Sequence, residues 1–587
     1  MKVFYDNLGQ LVTSEDRKIF YKDVEVIDGK IPNLELGQEH FVTDECGREY
    51  PIIHRGIVHT DWFAKTYDAT EERLGSYVEN DQTTFNLYAP TATKVFVSYH
   101  NKKHLMLRKP NGVYTHKVAK NLHNVSYSYV VHVNGDIHVT TDVYSKASLP
   151  NGVASVVVDF KQLNLNVVPL KPRKGVILET QVRDFSMDPN VPFKNRGKFL
   201  GLLESYGNYG KRHIEDMGVS HIQLMPVNDF GSVDEMNPFL NYNWGYDPMQ
   251  YMVLEGSYSS DITNPVQVIQ DFANVVDGYH QSGIGVNLDV VFNHIYEVFP
   301  SSLNKTVPYF YFRYNEGYYL LNGTYCGNEI ASERPMVRKM IVDTCKYYAE
   351  TFNIDGFRFD LMGIMDIETL NSIQRALPNL HIYGEGWHMQ SGLSDQMKAS
   401  IPNSRKMPNV GHFNEQFRDV IGGRTDGSGL GFADTGLTPN IQMSVLGSNN
   451  IFQSPSQSIN YVECHDNYAL ADRVAILNRD INVIDSINAL VILSKGVPFM
   501  QIGQSFFRDK QRNNNSYNLP DKINHIDWSY VDRYRDHHEW VKFCIQFRKE
   551  NPEYRIDFDH ASIRFVGSHQ TLSIHPTWVD VNQHEGE

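Results

Sequence analysis

A chain of 587 residues is long enough for about four domains and a sizeable buried core. Its 41% hydrophobic and 21% charged residues are close to soluble globular averages, which argues against disorder, a collagen-like repeat or a membrane bundle. With 54 Lys and Arg against 69 Asp and Glu, the net charge of −15 argues against a nucleic-acid partner, whose phosphates are met mainly by basic side chains.

The cysteines Cys46, Cys326, Cys345, Cys464 and Cys544 are odd in number and scattered, with no CxxC pair. Reduced thiols are therefore expected, rather than a zinc site or a disulfide framework. The opening MKVFYDNLGQLVTSEDRK lacks the apolar stretch of a secretory signal, and nowhere do about 18 apolar residues run together. A cytoplasmic protein without a membrane partner is the expectation.

Residues 1–73 mix short β-like runs (Lys2 to Tyr5, Ile19 to Val26, Tyr50 to Val58) with turn residues, which predicts a small β domain whose role the sequence does not indicate. From 74 to 165 alternating runs follow at short spacing: Thr84 to Pro90, Val95 to Tyr99, Val125 to Asn134 and Ser155 to Asp159. Turns between such runs predict a β-sandwich.

After Pro172 the texture changes to apolar runs separated by helical patterns, the mark of βα units around a parallel sheet. Eight runs qualify: Val176 to Glu179, His221 to Met225, Ile284 to Phe292, Gly356 to Asp360, His381 to Glu385, Gly411 to Phe417, Ile459 to Cys464 and Val497 to Ile502. Helical spacing falls between them at Glu333 to Thr351 (Met336, Met340, Ile341) and Ile364 to Leu377 (Ile367, Leu370, Ile373). Eight units over residues 166–550 suit a (β/α)8 barrel with insertions, a doubly wound open sheet being the rival that the count does not exclude. The connection from Tyr296 to Ser332 is too long for an ordinary βα loop, and loops of that kind are usually functional. Beyond the helical pattern of His537 to Lys549, residues 551–587 carry β-like pieces (Ser562 to Val566, Gln570 to Ile574), which predicts a short or truncated C-terminal β segment.

In a barrel the reacting groups come from the C-terminal ends of the strands, so acids at the ends of apolar runs are the candidates. LDVVFNH contains Asp289, Asn293 and His294; GFRFD contains Arg358 and Asp360; IYGEGW contains Glu385 and Trp387; YVECHDN contains His465 and Asp466. One acid after a strand is more often a helix cap. Several on different strands, converging on one mouth, are more than packing requires. Glycoside hydrolysis needs such a group, one carboxylate to attack the anomeric carbon and a second carboxyl to protonate the leaving oxygen. Arg358 and Asp360, two apart on a strand, share a face, so the cation is expected to hold that carboxylate ionised as a nucleophile. Glu385, between Gly384 and Gly386 and beside Trp387, is placed for the desolvation that a general acid needs.

LDVVFNH, GFRFD, GEGW and ECHDN resemble, in order, the four signature regions of the alpha-amylase superfamily, glycoside hydrolase family thirteen. A fifth segment, YNWGYDP (Tyr242 to Pro248), resembles the more specific signature of its type I pullulanases, the debranching enzymes. LETQVRDFS and NSYNLPDKIN are similar to the segments at strand one and after strand eight, and the stretch from Leu74 to about Phe160 is similar to a starch-type carbohydrate-binding module. The resemblance covers about residues 74 to 550. It implies a multidomain chain with the barrel preceded by β-sandwich domains, Asp360 as nucleophile, Glu385 as acid/base and Asp466 as third carboxylate. It further implies Tyr246 stacking under the sugar, His294, Arg358 and His465 orienting it, and a supporting part for Asp289 and Asn293; Trp387, which packing alone would also explain, is a weaker substrate-stacking candidate beside Tyr246. Two departures stand out, Ser505 where relatives usually carry Glu and His388 where many carry Asp; neither is expected to abolish the chemistry.

The activity implied is endo-hydrolysis of α-1,6-glucosidic linkages in pullulan, glycogen, starch or branched limit dextrins, with an α-glucan as partner. No cofactor is implied; structural calcium occurs in the family, but no loop here singles out a metal site. Isoamylase-type or α-1,4 hydrolysis and a catalytically inactive glycan-binding homologue are the alternatives; the YNWGYDP segment argues against the former and the three intact acids against the latter.

Overall fold

The computed structural model describes residues 1–171 and 173–583; Pro172 and residues 584–587 lie outside the described residues. The first unit is a six-stranded sheet in which Val3–Asn7 pairs parallel with Glu49–His54 and the other neighbours are antiparallel. Alternation in Val3–Asn7 turns Val3 and Tyr5 into the core. The second unit is two antiparallel sheets face to face, one built around Gln82–Tyr88 and Val113–Val118, the other around Lys94–Tyr99 and Ser126–Val133. Their inward residues, among them Phe85, Leu87, Val95, Val97, Tyr129 and Val131, make a core of their own, as a sandwich requires.

All eight expected barrel strands form, and they close on themselves: Ile177–Thr180, His221–Leu224, Gly285–Val290, Gly356–Phe359, His381–Gly384, Val410–Phe413, Ser458–Asn460 and Val497–Gln501. The last pairs parallel with the first, which excludes the open sheet. Buried on both sides, such strands read as continuous rather than alternating apolar runs. Two strands are shorter than their runs. Gly411 to Phe417 divides because the Asn414 side chain accepts from Phe417 N–H at 3.0 Å and starts the helix Glu415–Gly422. The strand within Ile459 to Cys464 ends at Asn460, and the chain beyond it leaves the sheet.

The helices fall where the spacing places them. Pro335–Phe352 starts on a proline whose missing N–H costs nothing at that position and ends at Asn353, left-handed at φ 53°. Ile367–Ala376 is capped by Asp366. The long connection 296–332 is a packed element: Phe310, Tyr311 and Phe312 are buried, and His59 of the first unit bonds Tyr309 O at 2.9 Å and stacks on Tyr314 and Tyr318. It locks the N-terminal unit to the barrel.

The C-terminal segment is a four-stranded antiparallel sheet, Arg555–Phe558, Ile563–Val566, Gln570–Ile574 and Val579–Gln583. Its central strands place Ile563, Phe565, Leu572 and Ile574 in the main core. The two outer strands escape the sequence pattern because they are half-buried or exposed and so carry little apolar alternation.

Candidate active site

Two of the catalytic candidates sit one step past their strands, while Asp466 lies six residues past the strand Ser458–Asn460. Asp360 follows the fourth strand and Glu385 the fifth; their predecessors Phe359 and Gly384 are directly paired, and Glu385 N–H donates to Phe359 O at 3.1 Å. Paired strands run ~4.8 Å apart, so residues at one level of adjacent strands are near neighbours, the placement that a pair of glycosidase carboxyl groups requires. One guanidinium spans both. Arg358 Nη1 donates to Asp360 Oδ1 at 2.9 Å and to both oxygens of Asp289 at 2.9 Å, while Nη2 lies 2.7 Å from Glu385 Oε1. Arg358 is only 2% exposed, so this charge works in a low-dielectric setting where its attraction is strong.

Asp360 is met from its other side by Asn293 Nδ2, 2.9 Å from Oδ2, and Asn293 Oδ1 in turn faces His294 Nδ1 at 2.6 Å. Two donors thus fix the Asp360 oxygens. Leu361, next in the chain, is left-handed at φ 41°, a conformation that costs an ordinary residue ~1–3 kcal/mol. That turn aims its N–H at Glu385 Oε2, at 3.1 Å. Burial raises the Glu385 carboxyl to about 7; Arg358 pulls it down, and the charges of Asp360 and Asp466 push it up again. It can therefore hold a proton near neutrality, as a general acid must.

The glycines beside Glu385 are there for space. A Cβ on Gly384 would lie 2.4 Å from Phe359 O, and one on Gly386 would lie 2.3 Å from His412 Nδ1. Any side chain would push the fifth strand away from its neighbours and Glu385 away from Arg358.

The remaining candidates gather round this core. The Tyr246 hydroxyl donates to Asp289 Oδ2 at 2.6 Å, and its ring stacks on His465 with centroids 4.8 Å apart. Trp244 meets His465 edge-on at 5.0 Å. His294 Nε2 faces Tyr246 O at 2.9 Å, tying the third strand's end to the YNWGYDP segment. Asp466 is the most open of the three acids, its side chain 46% exposed and 3.5 Å from His465 Nε2. Trp387 is half-buried and packs on the apolar cluster of Tyr383, Phe413 and Tyr461. Asp289, given a supporting part in the sequence, is fully buried under Arg358 and raised to about 7 by burial, with Arg358 opposing.

The two departures lie apart from these contacts: Ser505 is buried against His538 Nδ1 at 3.1 Å, and His388 is exposed, 3.8 Å from Asp395. Sequence reasoning missed Glu179, whose oxygens take His465 N–H at 2.7 Å and face His465 Nδ1 at 2.8 Å, and Lys510, whose Nζ donates to His465 O at 2.8 Å. A signal for Glu179 existed, since the first apolar run also ends on an acid. Asp229, Glu235 and Glu255 are buried with carboxylate oxygens within 4.8 Å of one another, a cluster that three separate segments contribute and no single loop announces. Such a donor set could hold a hard cation.

Comparison with known proteins agrees with this geometry. The family model of carbohydrate-binding module 48 (isoamylase N-terminal domain) matches residues 73–145, within the sandwich. A pullulanase of Bacillus subtilis (strain 168) is 36% identical over 91% of this chain and 79% of its own length. The crystal structure of a pullulanase from Anoxybacillus sp. LM18-11 complexed with maltotriose superposes with a TM-score of 0.90 at 32% identity, covering 98% of this chain and 94% of that one. The type I pullulanase of B. subtilis str. 168 complexed with maltose gives 0.89 at 31% identity, covering 97% and 91%. With its closed barrel, its sandwich and its carboxylates clasped by one arginine, the chain belongs to the pullulanase family of the alpha-amylase superfamily.

Proposed function

We propose that this protein hydrolyses α-1,6-glucosidic linkages within α-glucans, with pullulan, starch, glycogen and branched limit dextrins as the candidate polymers. The observation that carries the reading is the Arg358 fork on Asp360 and Glu385, at the ends of neighbouring barrel strands. In the first step Asp360 Oδ attacks the anomeric carbon while Glu385 gives its proton to the glycosidic oxygen, which leaves with the bond electrons. In the second, Glu385 takes a proton from water, whose oxygen displaces Asp360 and restores the anomeric configuration.

The other side chains serve this exchange. Arg358 keeps positive charge beside both acids, and Asn293 orients Asp360. Asp466, open to the mouth, is positioned to grip sugar hydroxyls with His465, and the Tyr246 ring offers a flat face to the sugar at the cleaved bond. Carbohydrate binding by the sandwich, in keeping with the family model over 73–145, would hold the polymer near the mouth.

Product analysis tests the reading. Maltotriose released from pullulan, with little reducing sugar from amylose, is the expected result. Maltose from amylose would point to α-1,4 hydrolysis, and binding without turnover to an inactive homologue; either result overturns it.

A further inference from the structure

We propose that Glu179, on the first barrel strand, is a positioning residue for this hydrolysis: it clamps His465 so that the ring keeps a proton on Nδ1 and presents a second N–H, on Nε2, to Asp466 and the sugar. The inference rests on the functional reading above and deepens it, because it says how the group beside Asp466 is kept a donor.

The geometry carries it. Glu179 is 1% exposed, and its two oxygens engage one residue, Oε2 the main-chain N–H of His465 and Oε1 the ring nitrogen Nδ1. The second neighbour of Nδ1 is the Tyr246 hydroxyl at 3.3 Å, whose single proton is already directed to Asp289 at 2.6 Å. Only a lone pair of that oxygen is left for the ring. Nδ1 therefore faces two acceptors and must carry the proton itself. Nε2 is left facing Asp466 Oδ2 at 3.5 Å, where a second proton is favoured by the opposite charge.

The ring has little freedom to do otherwise. Trp244 meets it edge-on, Tyr246 covers its face, and Lys510 Nζ holds its carbonyl. The charged groups around it are Glu179, Asp466 and Asp289, which favour the imidazolium, and Arg358 and Lys510, which oppose it. Burial also opposes the charge, yet the acids prevail and lift the ring to about 9. A His465 without Glu179 would lose its proton near neutrality and turn from donor into acceptor toward Asp466 and the sugar.

The test is the pH profile of kcat/KM on pullulan for wild type and Glu179→Gln, which keeps the shape but not the charge. The variant is expected within about threefold of wild type at pH 5, where the ring is protonated in either protein, and at least tenfold lower at pH 7.5, with a steeper alkaline limb. A merely structural role would lower activity by one factor at all pH values, and that result overturns the proposal. If Glu179→Gln does not fold, 15N-histidine spectra of the wild-type protein at pH 8 decide, the His465 resonance being identified by its loss in His465→Asn. Both ring nitrogens protonated supports the clamp; a neutral ring overturns it. Failure of the functional reading itself would show elsewhere, as undiminished turnover by Asp360→Asn.

Discussion

Replacing Glu385 by Gln should make the protein more stable and nearly inactive at once. In the folded chain the Glu385 carboxyl is raised from 4.5 to about 7, mainly by burial. A carboxyl raised on folding contributes stability that is fully present below its unfolded value near 4.5 and lost as pH climbs to 7, because the native state there binds the extra proton. At ~1.4 kcal/mol per pKa unit, holding this carboxylate ionised at pH 8 costs about 3 kcal/mol. Gln removes that cost, in which the opposing pull of Arg358 and of the Leu361 N–H on the carboxylate is already counted. The expected gain is about 3 kcal/mol at pH 8, a rise of a few degrees in Tm, that vanishes by pH 4.5. Turnover on pullulan should meanwhile fall about 10²–10⁴-fold with the loss of the proton donor. Scanning calorimetry at pH 4.5, 6 and 8, paired with reducing-sugar assays, measures both. A change in Tm that is independent of pH, or a loss of stability at pH 8, would refute the claim that this carboxyl is desolvated and poised near neutrality.

Asp360→Asn should fold and bind maltooligosaccharide while losing several orders of magnitude in turnover, since no glycosyl–enzyme bond can form; near-normal reducing-sugar release would remove Asp360 from the nucleophile's place. Asp229, raised to about 8 by burial and by the charge of Glu235, weakens the fold as pH rises from about 4 to 8. In chelator, Asp229→Asn should therefore melt higher than wild type at pH 8 and alike at pH 4, and equal melting at both would show that the cluster carries no strain. Trp528 is fully buried, packs edge-on against Phe185 and donates from Nε1 to Phe185 O at 2.9 Å. Trp528→Ala should cost about 3–5 kcal/mol by leaving a large cavity under the first strand's loop, read as a lower melting temperature with the pH optimum unchanged.

Much of this protein was legible in its sequence because its signals are local. Eight apolar runs bounded by helical spacing specify eight strands, since a strand buried on both faces can tolerate few polar residues. The catalytic acids announce themselves by their place at or just after the ends of such runs, and Gly384 and Gly386 mark where backbones approach too closely for a side chain. Tertiary structure alone decided the rest. Closure of the barrel depends on the last strand pairing with the first, as Ile177 pairs with Phe499, 322 residues away, and no local pattern encodes that pairing. The same closure brings Glu179 under His465 and gathers Asp229, Glu235 and Glu255 into one buried cluster. Residue types and spacing dictate which groups can do chemistry. Their protonation is set by burial and by neighbours distant in the chain, and those exist only once the cylinder has closed.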